Sequence, residues 1–167
     1  MKHLLLPDYD FDTYKGVTPE FLKSIGKTCV LCDIDNTLVP YDVPSPTDDV
    51  ITWAKQLTDS GIKLILVSNN NKERVELFNK ALQLPAYYKA GKPFKKNLLN
   101  ALNDMHSEVS HAAVMGDQIF TDVCAGKFNG MRAILVPPIK DKTSLFFRFK
   151  RALEKPVLKY YFKKIGK

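Results

Sequence analysis

Cysteine is scarce in this 167-residue chain, and the three present, Cys29, Cys32 and Cys124, are odd in number and unevenly spaced. A disulfide framework is therefore not expected, and a reducing, intracellular setting is the natural interpretation. Long apolar runs are also missing. Without a run of about 18 apolar residues no membrane-spanning helix is expected, and three leucines near the start are too few for a signal peptide. We expect a protein that is cytoplasmic or peripheral on the inner membrane surface.

Most of the chain has almost no net charge. Residues 1–139 contain 15 basic and 16 acidic side chains, a net charge of −1, whereas residues 140–167 contain 10 basic and 2 acidic ones, a net charge of +8. We therefore divide the chain into a globular domain, residues 1–139, and a basic C-terminal segment, residues 140–167. Positive charge concentrated in this way indicates an anionic partner.

The globular part alternates between strand and helix patterns. Strands are predicted at residues 28–34, 63–68, 112–116 and 132–136, and helices at residues 48–60, 71–82, 93–105 and 121–129. The strand segments are continuously apolar, as parallel strands covered on both faces are. This alternation predicts an α/β fold, a three-layer Rossmann-like parallel sheet. Residues 1–27 are expected to be irregular, apart from a short helix at residues 19–24.

Two clusters of polar residues follow the first two predicted strands. The first is Asp33-Ile34-Asp35-Asn36-Thr37, in which two carboxylates two residues apart can face one cleft. One can attack phosphorus while the other handles protons. The second begins at Ser68-Asn69, where a hydroxyl and backbone amides can hold phosphate oxygens. In an open parallel sheet both clusters lie at the carboxyl ends of strands, where active sites are found.

Two further clusters complete the candidate site. Lys92 lies in Gly91-Lys92-Pro93 at a predicted helix start, where its ammonium group can neutralise phosphoryl charge. Gly116-Asp117-Gln118 and Asp122 follow another strand. Carboxylate oxygens of this kind suit Mg²⁺, which takes one or two carboxylates together with water and substrate phosphate.

With these four motifs in this order, residues 28–136 resemble the haloacid dehalogenase (HAD) superfamily of phosphatases. The resemblance implies that Asp33 is the nucleophile, forming an aspartyl-phosphate, that Asp35 is the general acid and then the general base, and that Lys92 completes the catalytic set. It further implies phosphate binding by Thr37, Ser68 and Asn69. It implies a Mg²⁺ cofactor held by Asp33, Asp35, Asp117 and Asp122, with Asp35 contributing its backbone carbonyl.

The spacing of the motifs leaves no room for the cap domain that many HAD enzymes carry. Only 34 residues separate Asp33 from Ser68 and 23 separate Ser68 from Lys92, and strands, helices and turns consume most of both gaps. An open cleft suited to large substrates is expected. Three segments are similar to the YqeG-type branch of HAD subfamily IIIA: Leu-Leu-Leu-Pro-Asp-Tyr, Asp-Ile-Asp-Asn-Thr-Leu-Val-Pro and Gly-Asp-Gln-Ile-Phe-Thr-Asp. That similarity implies phosphatidylglycerophosphate as substrate and phosphatidylglycerol as product.

The basic C-terminal segment has helical periodicity, and a helical wheel separates it into two opposite faces. The basic face carries Arg148, Arg151, Lys155, Lys159 and Lys163. The aromatic and apolar face carries Phe146, Phe149, Leu153, Val157, Tyr160 and Tyr161. Pro156 predicts a break into two shorter helices. Such a segment either lies on an anionic membrane, packs against the domain or binds nucleic acid.

Several alternatives stay open. If the protein is a phosphatase, its substrate is a phosphorylated lipid or, alternatively, a soluble metabolite, a nucleotide or a nucleic acid end. The alternative class of protein is a non-enzymatic binding protein associated with RNA or the ribosome. Cys29 and Cys32 lie three apart on one strand, so their side chains point to opposite faces, as core residues and not as a metal pair. The acidic, aromatic residues 8–14 pack near the site or shield the basic segment.

Overall fold

A computed structural model of the chain describes residues 2–140 and 145–167. Residues 141–144 of the predicted C-terminal segment, and the side chain of Phe146, lie outside the described part. Six strands form one sheet in which every pairing is parallel, in the order β1-β6-β5-β2-β3-β4. The strands are β1 (Tyr9–Asp10), β2 (Cys29–Cys32), β3 (Lys63–Val67), β4 (Ala86–Tyr87), β5 (Ala112–Gly116) and β6 (Arg132–Leu135).

Helices cover both faces of this sheet. They are α1 (Pro19–Ser24), α2 (Asp48–Asp59), α3 (Lys72–Asn79), α4 (Lys95–Asp104), α5 (Cys124–Phe128) and α6 (Leu145–Ile165). One core cluster joins α1, α2 and α3 to Val30 and Cys32 of β2, and a second joins α4 and α5 to Cys29 and Leu31. The three-layer parallel α/β fold and the opposite orientation of Cys29 and Cys32 are thus confirmed.

Short elements account for most differences between the predicted and observed elements. The edge strands β1 and β4 were not predicted, because two residues carry no readable periodicity. Helix α4 begins at Lys95 and not at Pro93. The segment predicted as one helix over residues 121–129 is a π-helical turn, Ile119–Val123, followed by α5.

No cap domain is inserted within residues 2–140. Only α2 lies between β2 and β3, while α3 and β4 fill the space between β3 and α4. The carboxyl ends of the central strands therefore stay uncovered by an additional domain. Among the described residues, no helix combines the length and apolar character needed to cross a membrane.

The prediction that Pro156 breaks the C-terminal segment is wrong, because α6 runs through it without interruption. Proline removes one helical hydrogen bond, but contacts on both sides of it hold α6 against the domain. Before Pro156, Glu154 is fully buried; after it, Val157 and Leu158 pack against β6 residues, and the Tyr161 hydroxyl donates to Asp10 at 2.9 Å. The acidic start of the chain therefore binds the basic segment through Asp10.

Docking of α6 also corrects the predicted arrangement of its faces. The buried face carries Glu154, Val157, Leu158 and Tyr161, and Arg151 turns inward beside it. Phe149, Leu153 and Tyr160, predicted to lie opposite the basic residues, are exposed. Counted at 100° per residue, their stripe adjoins the one that carries Arg148, Lys155, Lys159 and Lys163. Apolar and basic stripes thus share the outer face of α6.

Candidate active site

A cleft of about 360 Å³ opens at the carboxyl ends of β2, β3 and β5. Parallel strands bring residues that are distant in sequence to one edge of the sheet, which is why the four motifs converge here. The cleft is lined by Asp33, Asp35, Ser68, Asn69, Asn70, Lys92, Gln118, Thr121, Asp122 and Lys150. Thr37 and Asp117, also predicted from the sequence, are buried and do not line the cleft, but Thr37 contacts Asp33 and the Asp117 carboxylate lies close to those of Asp33 and Asp122.

Asp33 lies at the base of the cleft in a strongly polarised setting. Its side chain is 9% exposed, and the Lys92 ammonium donates to its Oδ1 at 2.7 Å. The Thr37 hydroxyl donates to its Oδ2 at 3.3 Å. The chain reverses after Asp35 at Asn36, whose φ of 66° is a conformation that asparagine tolerates better than most residues. This turn directs the Asp33 and Asp35 side chains toward the cleft.

Three buried carboxylates, those of Asp33, Asp117 and Asp122, form a group that can bind a cation. Each offers one oxygen, and these oxygens lie within 4.8 Å of one another. Asp117 Oδ1 is buried without a hydrogen-bond partner, so it is an acceptor that lacks a donor. A Cβ at Gly116 would collide with the Asp122 carboxyl, so only glycine permits this close approach. An all-oxygen set of this kind fits a hard divalent cation.

The electrostatics of the site also favour a cation. Burial raises the pKa of Asp33 to about 7, with Lys92 opposing the shift and Asp122 and Asp117 adding to it. Burial likewise raises the pKa of Asp117 to about 6, with Asp122 adding and Arg151 opposing. Burial alone would lower the pKa of Lys92, but the carboxylates of Asp122 and Asp33 outweigh it and raise that pKa. A divalent cation would relieve the repulsion among these carboxylates.

Asp35 lies outside this carboxylate group and is held by Arg74, which the sequence did not assign to the site, and by Asn70, which was not predicted to contact it. Arg74 donates to Asp35 Oδ1 through Nε at 3.1 Å and Nη2 at 2.8 Å, and Asn70 donates to Oδ2 at 3.0 Å. Arg74 is itself fixed by donation to the Pro44 carbonyl at 2.9 Å. No spacing in the sequence relates Arg74 to Asp35, since they are joined only when α3 packs beside β2.

The predicted phosphate-binding residues occupy two different environments. Ser68 is buried, and its Oγ accepts the Asn70 backbone N–H at 3.0 Å, which leaves its hydroxyl proton for another acceptor. Asn69 instead uses both atoms of its amide on the Lys92 backbone: Lys92 N–H donates to Oδ1 at 2.8 Å, and Nδ2 donates to the Lys92 carbonyl at 3.1 Å. The Asn69 side chain therefore positions the loop that carries Lys92.

Helix α6 adds two basic side chains that the sequence did not assign to the site. Arg151 forms an ion pair with Asp117 Oδ2 and donates a hydrogen bond to the Asp117 carbonyl at 2.7 Å. Arg151 also donates to Glu154 Oε2 at 2.9 Å. Lys150 lines the cleft and donates to Gln118 Oε1 at 2.5 Å. The helical wheel placed Arg151 on the basic face, with Arg148, Lys155, Lys159 and Lys163, because a wheel contains no information about which face docks.

The fold and the site together define a phosphoric monoester hydrolase. Comparison with known proteins identifies its family. The chain belongs to the haloacid dehalogenase-like hydrolase family, which it matches over residues 7–130. It is 39% identical over 158 residues to "Probable phosphatase YqeG" of Bacillus subtilis (strain 168), with 95% of this chain and 92% of that protein covered. It is a YqeG-type HAD phosphatase. Phosphatases of this family use a divalent metal, and the buried aspartate group can bind one.

Solved structures share the fold at low sequence identity. The cobalt-bound deoxy-D-mannose-octulosonate 8-phosphate phosphatase (YrbI) of Haemophilus influenzae has a TM-score of 0.55 and 13% identity, over 83% of this chain and 91% of that one. An uncharacterised protein from Listeria monocytogenes serotype 4b has a TM-score of 0.54 and 18% identity, over 70% of this chain and 84% of that one. These likenesses establish the architecture.

Proposed function

We propose that this protein is a Mg²⁺-dependent phosphatase that converts phosphatidylglycerophosphate to phosphatidylglycerol through an aspartyl-phosphate on Asp33. The observation that carries the chemistry is the position of Asp33, buried between the Lys92 ammonium and the carboxylates of Asp117 and Asp122 at the base of an open cleft. A nucleophile there reaches a phosphomonoester while the surrounding groups balance the phosphoryl charge.

The reaction proceeds in two steps. In the first, an Asp33 carboxylate oxygen bonds to phosphorus, the bond to the leaving alcohol oxygen breaks, and Asp35 donates a proton to that oxygen. In the second, Asp35 accepts a proton from water, the water oxygen attacks phosphorus, and the Asp33–phosphorus bond breaks to release inorganic phosphate. Arg74 and Asn70 hold Asp35 in place for both transfers.

The remaining groups stabilise charge on the transferring phosphoryl group. Lys92 has its ammonium 2.7 Å from both Asp33 and Asp122, and the Ser68 hydroxyl has a proton to donate. Asp33, Asp117 and Asp122 would hold Mg²⁺ through their carboxylates and Asp35 through its carbonyl, and the bound ion would offset negative charge on the phosphoryl oxygens. Asn69 positions the loop that carries Lys92 through its two hydrogen bonds to the Lys92 backbone.

The outer face of α6 supports a lipid substrate. Leu145 and Phe149 are 79% and 65% exposed, which is unusual for large apolar side chains on a docked helix. The exposed basic residues Arg148, Lys155, Lys159 and Lys163 adjoin them. Apolar side chains insert into a membrane interface, and each nearby basic residue adds about 1 kcal/mol of attraction to an anionic surface. The resemblance of the sequence motifs to the YqeG-type branch of HAD subfamily IIIA supports the same proposal.

The chemical proposal is tested by measuring phosphate release from phosphatidylglycerophosphate in mixed micelles with Mg²⁺ and with EDTA. We expect release by the wild type to require the metal and to be abolished in Asp33→Asn. Greater activity on soluble metabolite or nucleotide esters than on the lipid would overturn the substrate assignment. Equal activity of Asp33→Asn and wild type would overturn the mechanism.

Membrane contact is tested by sedimentation with phosphatidylglycerol-containing vesicles. Replacing Arg148, Lys155, Lys159 and Lys163 with Gln removes four charges from the outer face and should weaken binding at least about tenfold. The matched control replaces Lys23, Lys55, Lys72 and Lys80, which lie elsewhere on the domain, in the same way. Equal loss in both variants would mean that overall charge, and not this face, attracts the vesicles. RNA retention without vesicle binding would favour a nucleic acid partner.

A further inference from the structure

Lys150 differs from the other basic side chains at the cleft in what it contacts. Lys92 is shared between Asp33 and Asp122, Arg74 pairs with Asp35, and Arg151 pairs with Asp117 and Glu154. Each of these cations is matched by carboxylates. Within residues 2–140 and 145–167, by contrast, no carboxylate lies within ion-pair distance of the Lys150 ammonium, whose hydrogen-bond partner is the neutral Gln118 oxygen.

The position of Lys150 allows its ammonium group to contact a bound substrate. Its side chain lines the same 360 Å³ cleft as Asp33 and Lys92, so any molecule presenting a phosphomonoester to Asp33 has Lys150 in its surroundings. Lys150 is also half-buried, and burial lowers its pKa, although the carboxylates of Glu154, Asp122 and Asp117, which lie beyond ion-pair distance, act in the opposite direction. The electrostatic attraction between an anion and a partly desolvated ammonium group is stronger than the attraction at a fully solvated surface.

We propose that Lys150, oriented by Gln118, binds a second anionic group of the substrate. The cleft then selects phosphomonoesters that carry another negative charge near the phosphate to be removed. This inference rests on the proposed phosphatase function and narrows its substrate class. The second anion is the phosphodiester when the substrate is phosphatidylglycerophosphate and a further phosphate when it is a soluble bisphosphate. Lys150 is therefore a specificity-determining residue contributed by the C-terminal helix.

The test compares three water-soluble substrates with Mg²⁺ present. Glycerol 3-phosphate carries only the phosphomonoester, 1,3-propanediol bisphosphate carries a second phosphate, and dihexanoyl phosphatidylglycerophosphate, below its micelle concentration, carries a phosphodiester. The measured quantity is the kcat/KM for each two-anion substrate divided by the kcat/KM for glycerol 3-phosphate. In Lys150→Met we expect this ratio to fall about tenfold or more, as for loss of a hydrogen bond to a charged group. Lys150→Arg should retain most of the ratio.

Lys164→Met is the matched control, because Lys164 is an exposed lysine on the same helix and the change in charge is identical. It should leave the ratio at the wild-type value. A ratio unchanged in Lys150→Met, or lowered equally in Lys164→Met, would overturn the inference while the phosphatase proposal stands. If the wild type hydrolyses the bisphosphate and not the lipid, the lipid assignment fails and the bisphosphate ratio still decides the role of Lys150.

A binding measurement makes the inference independent of turnover. In the Asp33→Asn background, calorimetry with Mg²⁺ compares the Kd of the bisphosphate with that of glycerol 3-phosphate. Adding Lys150→Met should remove about tenfold of the preference for the bisphosphate. A preference that survives this second substitution would overturn the proposal even if no substrate were hydrolysed.

Discussion

Without divalent cations, the protein should lose stability as the pH rises from 5 to 8, because Asp33 then ionises inside a buried site. Burial raises the pKa of Asp33 from 3.8 to about 7. Between these values the folded state holds a proton that the unfolded chain has released, so a rising pH favours unfolding. The stabilisation is complete below about pH 4 and is lost as the pH passes through about 7.

The size of the effect follows from the two pKa values. With a pKa of about 3.8 in the unfolded chain and about 7 in the folded protein, Asp33 alone lowers the free energy of unfolding by about 3 kcal/mol between pH 5 and pH 8. At about 2–4 °C per kcal/mol for a chain of this size, Tm falls by roughly 6–12 °C. Asp117, with its pKa raised to about 6, acts in the same direction.

The assay is thermal unfolding followed by circular dichroism in EDTA at pH 5, 6, 7 and 8. Asp33→Asn is the control, since it removes the titrating group and should show a pH dependence smaller by the same amount, about 3 kcal/mol. Mg²⁺ at 100 times its Kd should restore ~2.7 kcal/mol at pH 8 and less at pH 5, where protons compete for the carboxylates. A wild-type Tm that changes with pH no more than that of Asp33→Asn would refute the reasoning.

Three further substitutions test other parts of the site. Gly116→Ala places a methyl group against the Asp122 carboxyl and should weaken Mg²⁺ binding at least about tenfold by calorimetry; unchanged binding would contradict the close approach described above. Arg74→Gln, which releases Asp35, should lower kcat by up to about 100-fold with little change in KM; equal kcat values would show that Arg74 does not position the acid. Glu154→Ala leaves Arg151 half-paired and should cost about 2 kcal/mol in urea unfolding, against less than about 0.5 kcal/mol for the exposed Lys155→Ala; equal costs would count against a structural role for Glu154.

The central strands and the order of the motifs were predictable from local sequence. Each central strand is an apolar run ended by polar residues, and a parallel sheet places those ends together whatever the side-chain details. Cys29 and Cys32 contact different core clusters, as their spacing on a strand predicts. The two-residue strands β1 and β4 could not be predicted, because pairing with β6 and β3, and not local periodicity, creates them.

The C-terminal helix shows the limit of local patterns most directly. Its helical periodicity and its charge are evident from the sequence, but the pattern predicts a break at Pro156 and places Arg151 on a basic face directed at an anionic partner. Docking against β6 decides both matters: contacts on either side of Pro156 keep the helix continuous, and the buried face turns Arg151 toward Asp117. A helical wheel gives the angles between side chains and leaves the direction of the core undefined.

By itself, the sequence predicted which residues are available for phosphoryl chemistry, because each lies in a motif that local pattern makes recognisable: Asp33, Asp35, Ser68, Lys92, Asp117 and Asp122. Only the tertiary structure decided what surrounds them. Arg74 holds Asp35 and Lys150 faces the cleft because α3 and α6 pack beside the sheet. Arg74 is 39 residues from Asp35 along the chain, and Lys150 is 32 residues from Gln118. Tertiary packing brings these pairs together, and no short-range periodicity in the sequence encodes such packing.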